Sequence, residues 1–474
     1  MAENPSLPRS ERVLWAGFTG GIALLALACA IDPDLVYVAW TVPLIALGAT
    51  QLVRHPLVFF GAVIVSFGMS ASFEEGIQPT EVVFGLLYLS YMGYWVTTQL
   101  PRRLDEGMRF DLIDKTVLAF LALVPVAAVL GIAFGASPAM AFSEAFNFSL
   151  LSLYFPVRDL CDRDRRGVYL ILSAFAFFAL AAVVRNVITL SAAFNDASYA
   201  WEIANGRVPV NEAQLFAGAV TCVIASVTVT TLRYRILMAS LGGVFTVGLL
   251  LTGYRAYYAA FVLALLLVFL LANRERKRFL LGSSALLLVL GSAAAYLLFG
   301  EAFFLLVFGL ANRFLSIGTA ASADISFLNR FFETRAIWER IMVNPIAGYG
   351  LGVEYGFYDA ILKATWVKTF AHNSYLMLWH KFGLIGFLLF VGIWPLALWR
   401  AWSVYRSPMS STIWQTGAFV ALVMIVAAMP AHLTMASFTT MDTILLVALL
   451  TGMASGLFLR HERAAAVRRR YGQR

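Results

Sequence analysis

The sequence predicts an all-α polytopic membrane protein of about fourteen transmembrane helices, with one large outward-facing loop that contains an amphipathic helix. Three observations lead there. Of the 474 residues, 61% are hydrophobic and only 13% charged, whereas about a quarter of an ordinary soluble domain is charged. Apolar runs near the ~20 residues needed to cross a bilayer recur along the whole length. Basic residues gather in the short segments between alternate runs, as the positive-inside rule requires.

Taken in order, the spans are expected at about 14–31, 35–53, 57–72, 82–98, 116–134, 139–156, 168–190, 214–231, 235–252, 254–272, 278–298, 377–399, 412–430 and 440–459. Arg9 and Arg12 precede the first, and the run ends Ala28-Cys29-Ala30. This pattern suits a signal anchor or a cleavage site. The anchor is the expectation, and cleavage would remove one span without reorienting the others. The chain then divides into a first transmembrane part (1–298), a large periplasmic loop (299–376), and a last transmembrane part with a basic tail (377–474).

Charge placement tests that layout. The loops after even-numbered spans, together with the two termini, hold all but ten of the 35 Lys and Arg residues. Both termini are therefore expected in the cytoplasm. The net charge of +8 suits anionic lipid headgroups and not nucleic acid, because it sits in short loops between apolar runs. Cys29, Cys161 and Cys222 lie too far apart for a disulfide framework or a metal spacing.

Two outward segments are long: about Ser191 to Gln214, and more than 70 residues from about Phe299. Loops of such length are usually functional. In the second, Phe327, Phe331, Trp338, Ile341 and Met342 recur at roughly helical spacing, with Asn329, Arg330, Glu333, Arg335, Glu339 and Arg340 on the other side. This predicts an amphipathic helix stopped by Asn344-Pro345 and lying along the outer membrane surface.

The basic residues that escape the cytoplasmic pattern need a reason. Arg185 lies more than a turn inside the outward end of its span. It either snorkels to the headgroups or faces an interior anion site. Arg255 follows Gly253-Tyr254 in a tight outward turn. A helix N-terminus there already favours anions through its free N–H groups. Tyr254, Tyr257 and Tyr258 beside it suit an aromatic belt or sugar stacking. His372 stands where the long loop re-enters the membrane, and a histidine exchanges protons near neutral pH. His380, about two turns on, reads as support or packing. No acidic cluster has metal-ligand spacing, so neither a metal nor another cofactor is expected. There is no Gly-Lys-Ser/Thr phosphate loop either, so energy must come from the substrate.

The ordered set Arg335-Ala-Ile-Trp338, Asn344-Pro-Ile-Ala-Gly-Tyr-Gly-Leu-Gly352, His372-Asn373-Ser-Tyr-Leu376 and Gly383-Leu-Ile-Gly386 resembles the signature of the bacterial O-antigen ligase/polymerase superfamily. The motifs cover about 50 residues directly, and the Gly253-Tyr254-Arg255 turn extends the likeness over the C-terminal half. The resemblance implies a metal-independent glycosyltransferase of the inner membrane, active toward the periplasm in surface polysaccharide assembly. Its donor would be an undecaprenyl-diphosphate-linked glycan. Its acceptor would be the lipid A core for an O-antigen ligase, or a second lipid-linked glycan for an O-antigen or exopolysaccharide polymerase. On that model His372 is the base on the acceptor hydroxyl, and Arg185 and Arg255 clamp the diphosphate. Arg335, Asn373 and Tyr254 complete the substrate contacts. Family members often carry an acid shortly after the histidine motif, where this chain has Lys381; the histidine's orienting partner is left open. The rival reading is a lipid-linked oligosaccharide flippase or transporter. Such proteins usually show two similar halves, and no internal symmetry is visible here.

Overall fold

The computed structural model describes residues 55–70, 78–196, 211–300, 325–359, 363–408 and 412–471, with a few positions between 304 and 311. The first two expected spans, the cleavage question, Cys29, Arg9 and Arg12 lie outside the described residues. So does most of the segment from Ser191 to Gln214. The chain divides into two compact units, Met1–Asp111 and Leu112–Arg474.

In the first unit, α1 (Pro56–Ser70) pairs with α2 (Pro79–Tyr94). Pro79 stands at the first position of α2, where its missing N–H costs nothing. Phe59 and Phe60 close on Tyr91 with ring centroids 5.2 and 5.4 Å apart. A π turn at Trp95–Gln99 and a short α3 (Leu100–Asp105) follow.

The second unit contains α4 (Leu112–Ala133), α5 (Pro138–Ser149), α6 (Tyr154–Arg163), α7 (Arg165–Asp196), α8 (Glu212–Thr228), α9 (Leu232–Leu251), α10 (Arg255–Leu271) and α11 (Arg274–Phe299). After these come α12 (Ile325–Val343), an antiparallel hairpin of β1 (Tyr355–Asp359) and β2 (Ala364–Lys368), α13 (Ser374–Tyr405), α14 (Thr412–Ala428) and α15 (Met441–Tyr471). Local sequence explains several starts. Ser137, Asn273 and Asn373 each accept a first-turn N–H with the side chain, from Met140, Arg276 and Leu376.

This is an all-α membrane protein. Among the described residues, α4, α7, α9, α13, α14 and α15 are long and apolar enough to cross a bilayer, and α1, α8 and α10 are shorter apolar helices. Apart from the stretch at 139–156, every expected span that falls on described residues falls on a helix. Apolar residues also cover outer faces: Phe142 is 72% exposed, Leu288 71% and Val129 68%. Such surfaces need lipid around them.

Contacts sort the helix ends of this unit into two groups. At one end, Tyr405 Oη donates to Leu271 O, and Arg460 donates to Asp162 O and Arg163 O. His461 meets Ser407 there as well. At the other end, Arg185 meets Gln214, Phe216 packs on Tyr257, and Tyr375 Oη donates to Met429 O. The basic clusters thus share one end and the candidate site residues the other.

Three expectations need correction. The span at 139–156 is not one α-helix. It is α5, a 3-10 turn at Leu150–Leu153 and then α6, and α5 carries the buried Glu144 within it. Arg158 is not a loop cation. It is buried in α6, with one guanidinium nitrogen 2.9 Å from Asp114, which also accepts from Tyr154 Oη at 2.7 Å. Finally, α12 ends at Asn344-Pro345 as expected, but its buried stripe is Glu333, Ile337 and Ile341, while Phe331 and Trp338 are exposed. The polar Glu333 therefore belongs to the packed face.

Candidate active site

The scaffold under His372 is a small core of Ile337 and Ile341 from α12, Tyr355 and Phe357 from β1, Ala371 and Met377. Asn329 Nδ2 bonds Asp359 Oδ1 at 2.6 Å and ties α12 to the end of β1. Tyr355 Oη donates to Phe370 O, just ahead of His372. The hairpin, absent from the sequence expectation, therefore clamps the approach to α13 against α12.

Glu333 is the residue that sequence reasoning missed. Its Oε2 accepts from His372 N at 2.9 Å and lies 2.8 Å from His372 Nδ1. Lys368 Nζ stands 3.8 Å from the other oxygen, over the Phe357 ring. Burial pushes the Glu333 carboxyl up. The hydrogen bonds and charge of His372 and the charge of Lys368 outweigh that, and the carboxyl lies below its ordinary value. Burial next to Glu333 also pushes the Tyr355 phenol up. With Nδ1–H donating to a carboxylate, Nε2 is the nitrogen left to accept a proton. The His372 side chain is 35% exposed and that of Glu333 only 2%, so the acid is shielded and the imidazole open. This is the orienter–base half of a general-base arrangement. The signal was present in the spacing Glu333, Ile337, Ile341, which puts an acid on a core stripe.

The glycine loop explains the rest of the motif. α13 breaks at Gly383, where φ is 65°. There Leu384 N donates to Pro345 O and not to His380 O. The freed His380 O accepts from Tyr349 N, and Lys381 O accepts from Gly350 N. Leu351 N donates to Ala127 O of α4. A side chain at Gly350 would place Cβ 2.1 Å from Gly131 N, and φ there is +86°. Only glycine fits such a backbone-to-backbone approach. Lys381 has a partner as well. Its Nζ lies 2.7 Å from both oxygens of Glu144, which also accepts from Gly352 N at 2.8 Å. His380 is buried and stacks on Tyr349 at 4.9 Å, the packing role expected of it.

The other candidates divide. Asn373 caps α13, its Oδ1 accepting from Leu376 N at 3.1 Å. Arg335 points away from His372: it stands two residues, or about 200° around the helix, from Glu333, and pairs with Glu339 on the exposed side. Tyr254 precedes α10, and its carbonyl accepts from Tyr257 N and Tyr258 N. Arg185 NH2 lies 3.4 Å from Gln214 Oε1. A chain of contacts joins this region to His372. Ala213, Phe216, Tyr257, Trp394, His432 and Thr443 line one cavity, and His432 bonds Ser437, whose backbone N–H donates to Ser374 Oγ at 2.8 Å. Arg185, the start of α10 and His372 thus occupy the same end of the unit.

Residues 238–391, about a third of the chain, match the family model described as O-antigen ligase. The match supports the resemblance of the loop motifs to the O-antigen ligase/polymerase superfamily. The match runs from α9 to the middle of α13 and includes the Arg255 turn, Glu333, the glycine loop and His372. No curated protein matches the chain. Together with the membrane-spanning helices, the match supports a membrane protein of glycan assembly of the O-antigen ligase type.

Glu333→Gln keeps the shape of the orienter and removes its charge. It is expected to lower turnover roughly tenfold to a hundredfold, part of the 10²–10⁴ that a general base supplies. A pH series of unfolding midpoints checks the electrostatics independently. Because the folded-state carboxyl is depressed, its contribution is complete above the unfolded carboxylate value of about 4.3. The advantage of wild type over the Gln variant should hold there and shrink as pH falls through the lower folded value.

Proposed function

We propose that the protein transfers glycan from an undecaprenyl-diphosphate donor to an acceptor hydroxyl on the outer face of the inner membrane. The observation that carries this is the His372–Glu333 pair, with Nδ1 2.8 Å from the carboxylate, at the same bundle end as Arg185 and Arg255. In the reaction, His372 Nε2 takes the proton of the acceptor hydroxyl as its oxygen attacks the anomeric carbon. The bond from that carbon to the diphosphate oxygen breaks, and the lipid diphosphate leaves with the electron pair. Arg185 and Arg255 stabilise the charge that develops on it, as bidentate guanidinium contacts do for phosphates. The displacement needs no metal. The acceptor is the lipid A core for a ligase or a second lipid-linked glycan for a polymerase.

The fourteen-span layout with cytoplasmic termini belongs to this reading, as does the three-part division at 298 and 376. Support comes from the grouping of Arg163, Arg406, Arg460 and Arg463 away from the site end. Arg335, exposed and close in sequence to Glu333, remains a candidate contact for the glycan rather than for the base, with Tyr254 and Asn373 beside the entry.

The test is substitution of the two arginines. Arg185→Ala and Arg255→Ala are each expected to abolish product while the protein stays in the membrane. Lys at either place should recover only part, because it lacks the planar fork. Normal transfer by both Ala variants would remove the clamp.

A further inference from the structure

Beside Arg185 lie buried polar atoms that have no hydrogen-bond partner among the described residues. Gln214 is fully buried, and its Oε1 receives Arg185 NH2 at 3.4 Å. That contact fixes the amide, yet its Nε2 has no hydrogen-bond partner. The next residue of α7, Asn186, is 3% exposed with neither amide atom paired. Asn211, 8% exposed, precedes α8 with Nδ2 unpaired and makes no side-chain cap. Buried carboxamides are nearly always satisfied, and this end of the bundle breaks that rule three times.

The chemistry of the set is specific. A glutamine that accepts from a guanidinium must turn its NH2 outward as a donor. In the first turn of α8 the N–H groups of Ala213 and Gln214 lie before the first i−4 acceptor and present positive dipole density at the same place, while the Glu212 N–H bonds its own carboxylate. The acid at Glu212 is two residues, about 200°, around α8 from Gln214, and it interacts with Tyr257 and Asp442 rather than with Arg185. Beside Arg185 the donors are one guanidinium from α7 and, from α8, one amide NH2 and the first-turn N–H groups.

We propose that Gln214 is a binding residue for the anion held by Arg185: its Oε1 orients the guanidinium, and its Nε2 donates directly to a phosphate oxygen. This rests on the diphosphate reading above and adds the neutral donor that the arginines alone do not provide. An arginine braced by a carboxamide keeps its full charge for the ligand. A carboxylate in the same place would neutralise it, which accounts for an amide and not an acid at this position.

The experiment measures binding of a short-chain polyprenyl diphosphate to the purified full chain in detergent, with the thermal unfolding midpoint read in parallel. Gln214→Met fills the space without a donor. Gln214→Glu keeps the brace but adds a competing charge. Expected are a loss of about tenfold or more for Met, the size of a hydrogen bond to a charged group, and a larger loss for Glu. Both variants should keep wild-type unfolding midpoints within a few degrees, and inorganic pyrophosphate should follow the same order. If Arg185→Ala loses binding while both Gln214 variants bind as wild type does, Gln214 is packing and the inference is overturned, with the diphosphate reading intact. Binding that falls for Met but is unchanged for Glu would also overturn it, since only the brace would then matter. If Arg185→Ala binds normally, the reading itself fails and takes the inference with it.

Discussion

Replacing His372 by alanine is expected to cost about 10²–10⁴-fold in turnover, the usual loss when a general base is removed, with donor binding nearly unchanged. The reason is spatial. His372 is held by Glu333 on α12 and by the first turn of α13, whereas Arg185 belongs to α7 and α8 and Arg255 to the start of α10. Removing the imidazole leaves those cations in place. His380→Ala should cost far less turnover, because His380 is buried against Tyr349 and meets no reacting group. The check is single-turnover kinetics beside a separate measurement of donor binding. Donor binding lost together with turnover would make His372 a phosphate ligand. Unchanged turnover would leave the arginines as the whole apparatus.

The second large effect is structural. Lys381→Met is expected to destabilise the protein by about 3–5 kcal/mol, the usual cost of removing one partner from a buried ion pair. Lys381 is fully buried and Glu144 nearly so, and each holds a different element: α13 at its break and α5. Glu144 also receives Gly352 N, so an uncompensated carboxylate would disturb the glycine loop directly. The double variant Glu144→Gln with Lys381→Met removes both charges and keeps an acceptor for Gly352. It should recover most of the stability, since neutral replacements of buried pairs are often tolerated. Unfolding midpoints in detergent for the two single variants and the double variant decide this. Equal losses in all three would mean that side-chain volume, and not charge, holds the loop.

Helices were legible because bilayer-length apolar runs write themselves into composition; the stretch at 139–156 departs from this, dividing into α5, a 3-10 turn and α6. Less legible was how helices interrupt themselves. Glu144 reads as an oddity inside an apolar run until Lys381, 237 residues later, is placed against it. Periodicity shows which residues share a face but not which face is covered. By spacing, the aromatic stripe of α12 reads as its apolar face and Glu333 as part of the polar one, yet Glu333 is buried while Phe331 and Trp338 are exposed. His372 is legible from its context but its partner is not, because an acid 39 residues earlier meets it only once α12 packs against the hairpin and α13. Asn373 shows the opposite difficulty: a motif residue next to the histidine caps a helix, a structural duty that alone would keep asparagine there. The hairpin itself carries Gly356 and Asp359 among its residues, weak strand formers that gave little warning of β-structure.

In the proposed reaction this membrane protein moves a glycan from lipid diphosphate to a hydroxyl rather than carrying the lipid-linked glycan across the bilayer. The direct measurement reconstitutes the purified chain in liposomes with a defined undecaprenyl-diphosphate glycan and a hydroxyl-bearing acceptor, and follows glycan and lipid diphosphate separately. Glycosylated acceptor and free lipid diphosphate should appear one for one, and Glu333→Gln should slow both together. If the donor instead crosses the membrane intact, with its glycan still attached and no lipid diphosphate released, the transferase account is contradicted.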